Sequence, residues 1–548
     1  MREDWIEVEF GELSLLELGG DWGKDPSIED DDYIEAYCIR GSEFRNWEAN
    51  KGKTASMRKI KKDSIEKRNL LLDDILVEIS GGGPEQPVGR TVVIEQSVLN
   101  HFKDKNLVCT NFLRLIRPSV FVNSTYLNHY LKYFYSTGKI IRYQSGSNNL
   151  RNLKFHDYLT IEIPFAPLPI QCAIVSKIEA LFSDLDNGIA NFKKAQEQLK
   201  IYRQAVLKKA FEGELTKEWR EKQNNLPTAE ELLKQIKQER QNHYNQQVYD
   251  WEKAVKEWEK NGDVEDKPQK PQKPTNLESK IRIIEQVSDS MTIHSTWSFV
   301  SLAWLSDNKP NSIVDGPFGS SINVNEDYKE NGVPVTRMVN IRPHKFISDN
   351  LKFIVEDKFK QLRRHNILPG DILIAKVGAT IGDCCIYPNN MPEGMLSTTG
   401  SCRVRLDLNI FSKKLLEYYI FYQRFKLKSI ASQTAQPFLN MVVVKAFPVP
   451  FCSLEEQNQV VQEIEFRLSV CDKMEQSLSE SILKAEALRQ SILKKAFEGR
   501  LLSEAEIELC KQAADYEPAS ELLKKITNEK LRITNEKSKV ISKNKSKE

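Results

Sequence analysis

Side chains that carry a hydrogen-bond donor beside an acceptor can read base edges, and cations or free backbone amides can hold phosphates. This chain gathers such residues in four short stretches. Ser80, Gln86 and Arg90 surround the glycines at 81–83. Residues 142–151, RYQSGSNNLR, supply Arg142, Ser145, Ser147, Asn148 and Asn149. Lys376 and Thr380 lie in a turn with Gly378 and Gly382. Residues 432–436, SQTAQ, supply Gln433, Thr434 and Gln436. The glycines permit close approach to a nucleic-acid backbone. Each stretch also reads as an ordinary hairpin turn. Two further candidates are residues 316–320, GPFGS, with no clear counterpart in the first half, and the basic run RKIKK at 58–62. Such a run is equally a solvated surface.

Other chemistry finds no support. The glycines at 81–83 precede Pro84 and open no helix, so they are not a dinucleotide fingerprint. No GxxxxGK[ST] loop occurs, nor the Asn/Asp-Pro-Pro-aromatic motif that holds a flipped adenine in a methyltransferase. A metal-dependent nuclease would need paired carboxylates, but after Asp371 the place of the second is taken by Ile374. Nine cysteines are scattered without CxxC pairs, which suits reduced thiols in the cytoplasm. Net charge is +2, so any nucleic-acid contact must come from local patches. No signal-peptide core and no membrane-length apolar run is present.

The elements that must position these loops come in two copies. LKKAFEGEL at residues 207–215 recurs as LKKAFEGRL at 493–501, 286 residues later, and the match runs back without a gap to Pro164 and Pro450. AEELLKQI at 229–236 echoes ASELLKKI at 519–526, and Asp74 with the apolar run after it echoes Asp371. From Gln171 onward apolar or small residues recur in alternating steps of four and three: Ile174, Ile178, Leu181, Leu185, Gly188, Phe192, Ala195, Leu199, Tyr202, Val206. That is a coiled-coil seam. The second seam runs from Val460 to Ile492 and is interrupted by Arg467 and Ser481. Gly188 and Ala195 leave room for bulky partners, and Gly213 and Gly499 sit where a helix end favours positive φ. A helix of about 40 residues, ~60 Å long, must bury such a stripe. The other copy is the nearest candidate.

The expected fold is α+β: two mixed α/β domains, each followed by a long helix, the helices pairing as an antiparallel coiled coil with pseudo-twofold symmetry. The expected segments are domains at 1–165 and 291–450, helical spacers at 166–240 and 451–535, a charged Pro-rich linker at 241–290 and a basic tail at 536–548.

Two variable globular segments, each followed by a helix that begins at a Pro–Leu–Gln entry and ends LKKAFEG, resemble the specificity subunit of type I restriction-modification systems. The entries are Pro164, Leu168, Gln171 and Pro450, Leu454, Glu455, Glu456, Gln457. The second carries the fuller PxxxLEEQ form; the first departs from it at Pro169 and Ile170. The resemblance implies target-recognition domains that each read one half of an asymmetric bipartite site in double-stranded DNA. It implies that the paired helices set the spacer and dock two methyltransferase subunits, with motor-nuclease subunits joining them. The chain itself would be non-catalytic and bind no cofactor, S-adenosylmethionine belonging to the partner methyltransferases. From the residues alone, a rival reading stays open: a non-catalytic coiled-coil adaptor with two protein-binding heads.

Overall fold

The computed structural model describes residues 2–83, 86–146, 150–260, 267–271, 273–274, 291–432 and 436–545. It divides into two compact units: residues 1–193 with 479–548, and residues 194–478. Each unit holds one globular domain, the beginning of the long helix that follows it, and the end of the other long helix.

In the first domain a four-stranded antiparallel sheet runs in the order Ser14–Gly19, Leu113–Pro118, Ile75–Glu78, Thr91–Val93. In the second, Ile313–Asp315, Ser401–Val404, Ile372–Ala375 and Cys384–Ile386 repeat that order and direction. A second sheet accompanies each. Tyr33–Ile39 lies between antiparallel Ser56–Lys61 and parallel Asn106–Cys109, and Val333–Thr336 lies between antiparallel Lys352–Ile354 and parallel Gly394–Leu396. The first and last strands of each domain pair with each other, Ile6–Glu9 with Glu162–Phe165 and Ser298–Ser301 with Pro448–Phe451. Two segments with little sequence in common therefore share one fold.

The Asp74 and Asp371 echoes hold corresponding places. The Asp74 carboxylate, fully buried, accepts from Arg117 at 2.7 and 2.8 Å and from the Leu71 amide at 2.7 Å. Asp371 accepts from Arg405 at 2.8 and 2.7 Å and from the Leu368 amide at 2.7 Å. A buried carboxylate needs such a cation and amide set to offset its lost hydration. Each set fixes the start of the central strand.

The long helices are Leu168–Phe211 and Leu454–Phe497, 44 residues each. Both start on their own domain through a glutamine. Buried Gln171 accepts from the Asn123 amide at 2.8 Å and donates to the Ala166 carbonyl at 2.7 Å. Buried Gln457 accepts from the Ser412 amide at 2.8 Å and donates to the Cys452 and Ile410 carbonyls at 2.9 and 3.0 Å. Both helices end on the opposite domain. Phe211 packs edge-on to Tyr419 and stacks on Tyr422, while Phe497 stacks on Tyr133 and meets Tyr126 and Tyr130 edge-on. The glycines that follow, Gly213 and Gly499, have φ of 80° and 72°. A Cβ on Gly213 would come within 2.8 Å of the His294 Cβ, so this turn needs glycine for both reasons.

Within each unit the two helices run antiparallel. Lys177 meets Glu506 beyond the end of the second helix, and Asp186 meets Arg489. In the other unit Arg203 meets Asp472 at 2.7 Å and Glu475 at 2.8 Å. Most seam positions are buried or half-buried. Tyr202, Met474 and Leu488 are instead 44%, 51% and 48% exposed. Nothing lies within 4 Å of a Cβ built on Gly188, so no bulky side chain fills the room it leaves.

The echo at 229–236 and 519–526 is a second tie. Ala229, Leu232, Leu233 and Ile236 pack on the second domain's core, and Ala519, Leu522 and Ile526 join the first domain's core. The expected linker starts later than residue 241, because the helix Ala229–Lys260 continues. Side-chain pairs four residues apart, such as Gln241 with Asn245 and Gln246 with Asp250, support its exposed part. The expected basic tail is helical as far as Lys545.

Candidate nucleic-acid interface

The strand ends of the main sheet set the site. Gly19 lies opposite Arg114, which lies opposite Val77; in the second domain Asp315 lies opposite Cys402, which lies opposite Ile374. The loops that leave these strands therefore share one end of the sheet. The first domain contributes the turns after Gly19 and Ile79, and the second those after Asp315 and Ala375.

The loops predicted separately are joined in each domain. In the first, Ser80–Gly82, Arg151–Leu153 and Gln144–Ser145 form a small three-stranded sheet. Ser80 donates to Asn152 at 2.6 Å across it. In the second, Val377 bridges Phe438, the Gly378 amide donates to the Pro437 carbonyl at 2.8 Å, and the Leu439 amide donates to the Lys376 carbonyl at 2.8 Å. The Lys376 turn is thus joined to residues 437–439, which directly follow the 432–436 stretch.

The predicted residues divide by where their side chains go. Arg142 and Ser145 are exposed, as is Gln436. Gln86 is half-buried. Thr380 is half-buried and donates to the Val377 carbonyl at 3.1 Å. Ser147, Asn148, Asn149, Gln433 and Thr434 lie outside the described residues. Two cations turn inward. Lys376 is 1% exposed, its ammonium 3.4 Å from Asp315. Arg90 donates to Glu78 at 2.8 and 2.5 Å and to the Gly41 carbonyl at 3.1 Å. Glu78 ends the Ile75–Glu78 strand and Arg90 precedes its edge partner Thr91–Val93, so the ion pair closes that end of the sheet. Neither charge is offered to a ligand in this arrangement.

The counterpart of residues 316–320 in the first half is residues 20–24. Gly20 and Gly316 follow corresponding strands. A Cβ on Gly20 would sit 2.1 Å from the Thr110 carbonyl oxygen, and one on Gly316 would sit 2.1 Å from that of Thr398. Only a residue without Cβ allows this approach, and it is the one feature the two loops share. The loop in the first domain leads to Trp22, over which the Arg58 guanidinium lies at 4.5 Å, and to Lys24, whose ammonium lies 4.2 Å from the Tyr33 ring centre. The one in the second carries Phe318, 76% exposed. Of the 58–62 run, Arg58 is held by Trp22 and Lys59 by Glu35 at 3.5 Å, leaving Lys61 and Lys62 exposed.

Among the described residues no group of three or more His, Cys, Asp or Glu side chains could hold a metal ion. No described helix is long and apolar enough to cross a membrane. What the geometry presents is two like-folded domains with unlike polar loops at corresponding sheet ends. Residues 318–483 match the family described as type I restriction modification DNA specificity domain. The chain is 22% identical over 547 residues to the EcoKI type I restriction enzyme specificity subunit of Escherichia coli strain K12, covering 97% of this chain and 96% of that one. It is also 22% identical over 543 residues to the StySPI specificity subunit of Salmonella potsdam, with the same coverage. The fold is similar to that of the HsdS subunit from Thermoanaerobacter tengcongensis, with a TM-score of 0.52 at 16% identity over 91% of this chain and 98% of that one. A chain from a solved type I R-M system gives a TM-score of 0.57 at 16% identity, over 91% of this chain and 99% of that one. Over nearly its whole length the chain is thus similar to type I restriction enzyme specificity subunits.

Proposed function

We propose that this chain is the non-catalytic reader of a restriction-modification complex, each domain recognising one half of an asymmetric, bipartite DNA site. The observation that carries this reading is the pair of corresponding sheet ends with unlike loops. Equal folds place the loops alike, and unlike side chains read unlike half-sites. Residues 20–24, 80–90 and 142–151 would serve the first half-site, and residues 316–320, 376–382 and 432–436 the second. The long helices would set the number of unread base pairs between the halves, as dimer geometry does in twofold DNA binders.

The helices would also dock two methyltransferase subunits, which bring S-adenosylmethionine and flip the target adenines; motor-nuclease subunits would join that core. An apolar groove supports docking. Within the second unit Ala195, Leu199, Tyr202, Phe466, Val470 and Met474 line it, with Phe466 67% exposed. Exposed apolar side chains clustered in this way are characteristic of protein contact sites.

Mapping methylated adenines in a genome that expresses this chain with its partners tests the reading. The expected result is one asymmetric motif with a fixed gap. Removing one heptad from one long helix should change the preferred gap, and an unchanged gap would refute the ruler. Absence of salt-dependent duplex binding would favour an adaptor with two protein-binding heads.

A further inference from the structure

The two helix ends seat in sockets of opposite chemistry. In the second unit, Glu456 is 1% exposed and stands just before the entry glutamine. It accepts from Thr216 at 2.8 Å, from Arg220 at 2.8 and 2.5 Å, and from the Trp297 indole at 3.0 Å. Thr216 and Arg220 belong to the segment that follows the first long helix. Arg220 also donates to the Gly213 carbonyl at 2.7 Å, closing the turn at the helix end.

In the first unit the buried side chains packed about the corresponding place are apolar. Ile170 stands just before Gln171 and is 1% exposed. Leu502 holds the place of Thr216, three residues beyond the helix-ending glycine. The residue 286 positions after Arg220 is Glu506, which turns to Lys177 instead, and its neighbour Ile507, four residues beyond the cap of the short helix as Arg220 is, takes the buried place. Ile170, Leu502 and Ile507 pack with Trp5, the counterpart of Trp297, in one buried cluster. The Trp5 indole nitrogen has no hydrogen-bond partner, because isoleucine stands where Trp297 finds its carboxylate.

We propose that this mismatch makes the pairing of the two halves exclusive. The end of the first long helix fits only the second domain, and the end of the second fits only the first. A second copy of this chain cannot substitute by pairing like with like. If the first helix's end met the first domain, the Arg220 guanidinium would enter the Ile170–Trp5 pocket without a carboxylate. If the second helix's end met the second domain, Glu456 would be buried against Leu502 and Ile507 without a cation or a hydroxyl. A buried charge stripped of its partner is strongly unfavourable, whereas either socket with its own plug is satisfied. The departure of the first entry from the PxxxLEEQ form is thus one half of a lock: glutamate at one end, isoleucine at the other. The inference concerns assembly and stands apart from the reading of DNA.

The test keeps the chain whole until it has folded. A protease site is placed between residues 275 and 290, the folded protein is cut there, and the two pieces exchange partners in dilute denaturant. Native mass spectrometry then reads the pairs. The unchanged chain should return only unlike pairs. The variant Glu456→Ile with Thr216→Leu and Arg220→Ile makes both sockets apolar, and like pairs should appear beside unlike ones. The reciprocal variant, Ile170→Glu with Leu502→Thr and Ile507→Arg, makes both polar and predicts the same outcome, so the test survives if one variant fails to fold. Like pairs from the unchanged chain, or none from a folded variant, would overturn the proposal.

Discussion

Arg203 and Asp472 pair across 2.7 Å in one unit, and the residues 286 positions away from each, Arg489 and Asp186, pair in the other. The arginine comes from the first helix in one case and from the second in the other. An antiparallel pair of repeated helices produces such a relationship when its register is the same in both units. The carboxylates are 69% and 65% exposed, so each bridge is screened and contributes little. A double-mutant cycle of Arg203→Ala and Asp472→Ala should give a coupling of about 0.2–1 kcal/mol in chemical unfolding. A coupling several times larger would mean that the bridge, and not the apolar seam, holds the helices.

The entry glutamines should matter far more. Gln457 satisfies one buried amide and two carbonyls, and leucine in its place would leave all three without a partner. Gln457→Leu should cost roughly 2–4 kcal/mol in thermal or urea unfolding, since each orphaned buried group costs ~1–3 kcal/mol with partial relaxation. Gln171→Leu should cost somewhat less, because it orphans one amide and one carbonyl. A cost below ~1 kcal/mol for both would show that the helix starts are held by packing alone.

The two kinds of predicted cation should separate in DNA binding. Arg142 is exposed, so Arg142→Ala should weaken duplex binding and lower the slope of log K against log salt by about 1. Lys376→Met should leave the slope unchanged and lower the melting temperature instead, since it removes a buried partner of Asp315. Equal slopes for Arg142→Ala and the unchanged chain would remove Arg142 from the interface.

These cations mark where the sequence was readable and where it was not. The helices were legible because a stripe repeating every three or four residues has one structural meaning, and a gapless copy confirms it. The kinship of the domains was not, since strand partners such as Ile75 and Ile116 are far apart in sequence and tolerate any apolar replacement. Asp74 and Asp371 kept a trace, because a buried carboxylate with an arginine and an amide is hard to substitute. Gly20 and Gly316 share a close backbone approach that a single glycine does not announce. Lys376 and Arg90 looked like surface charges because their partners lie elsewhere, Asp315 on another strand and Glu78 across a strand pair. Whether a cation turns inward is decided by that partner, not by its own neighbours in the chain.

His129 gives the stability a pH dependence of definite sign. It lies in a cleft between the first domain and the helices of its unit, beside Phe182, and its Nε2 is buried without a partner. Burial lowers its pKa to about 4; the Lys132 ammonium adds to the effect and Glu48 opposes it. An unfolded histidine titrates near the ordinary value of ~6.5. Between these values the unfolded chain binds more protons than the folded one, so stability rises with pH across that window and is lost as pH falls from ~6.5 toward ~4. The loss should approach, at most, about 3 kcal/mol at the lower end. His129→Gln cannot take up the proton, so the difference in unfolding free energy between the two proteins should shift in favour of the variant as pH falls through the window. Parallel pH profiles for the two proteins would show that His129 is not held neutral by this cleft.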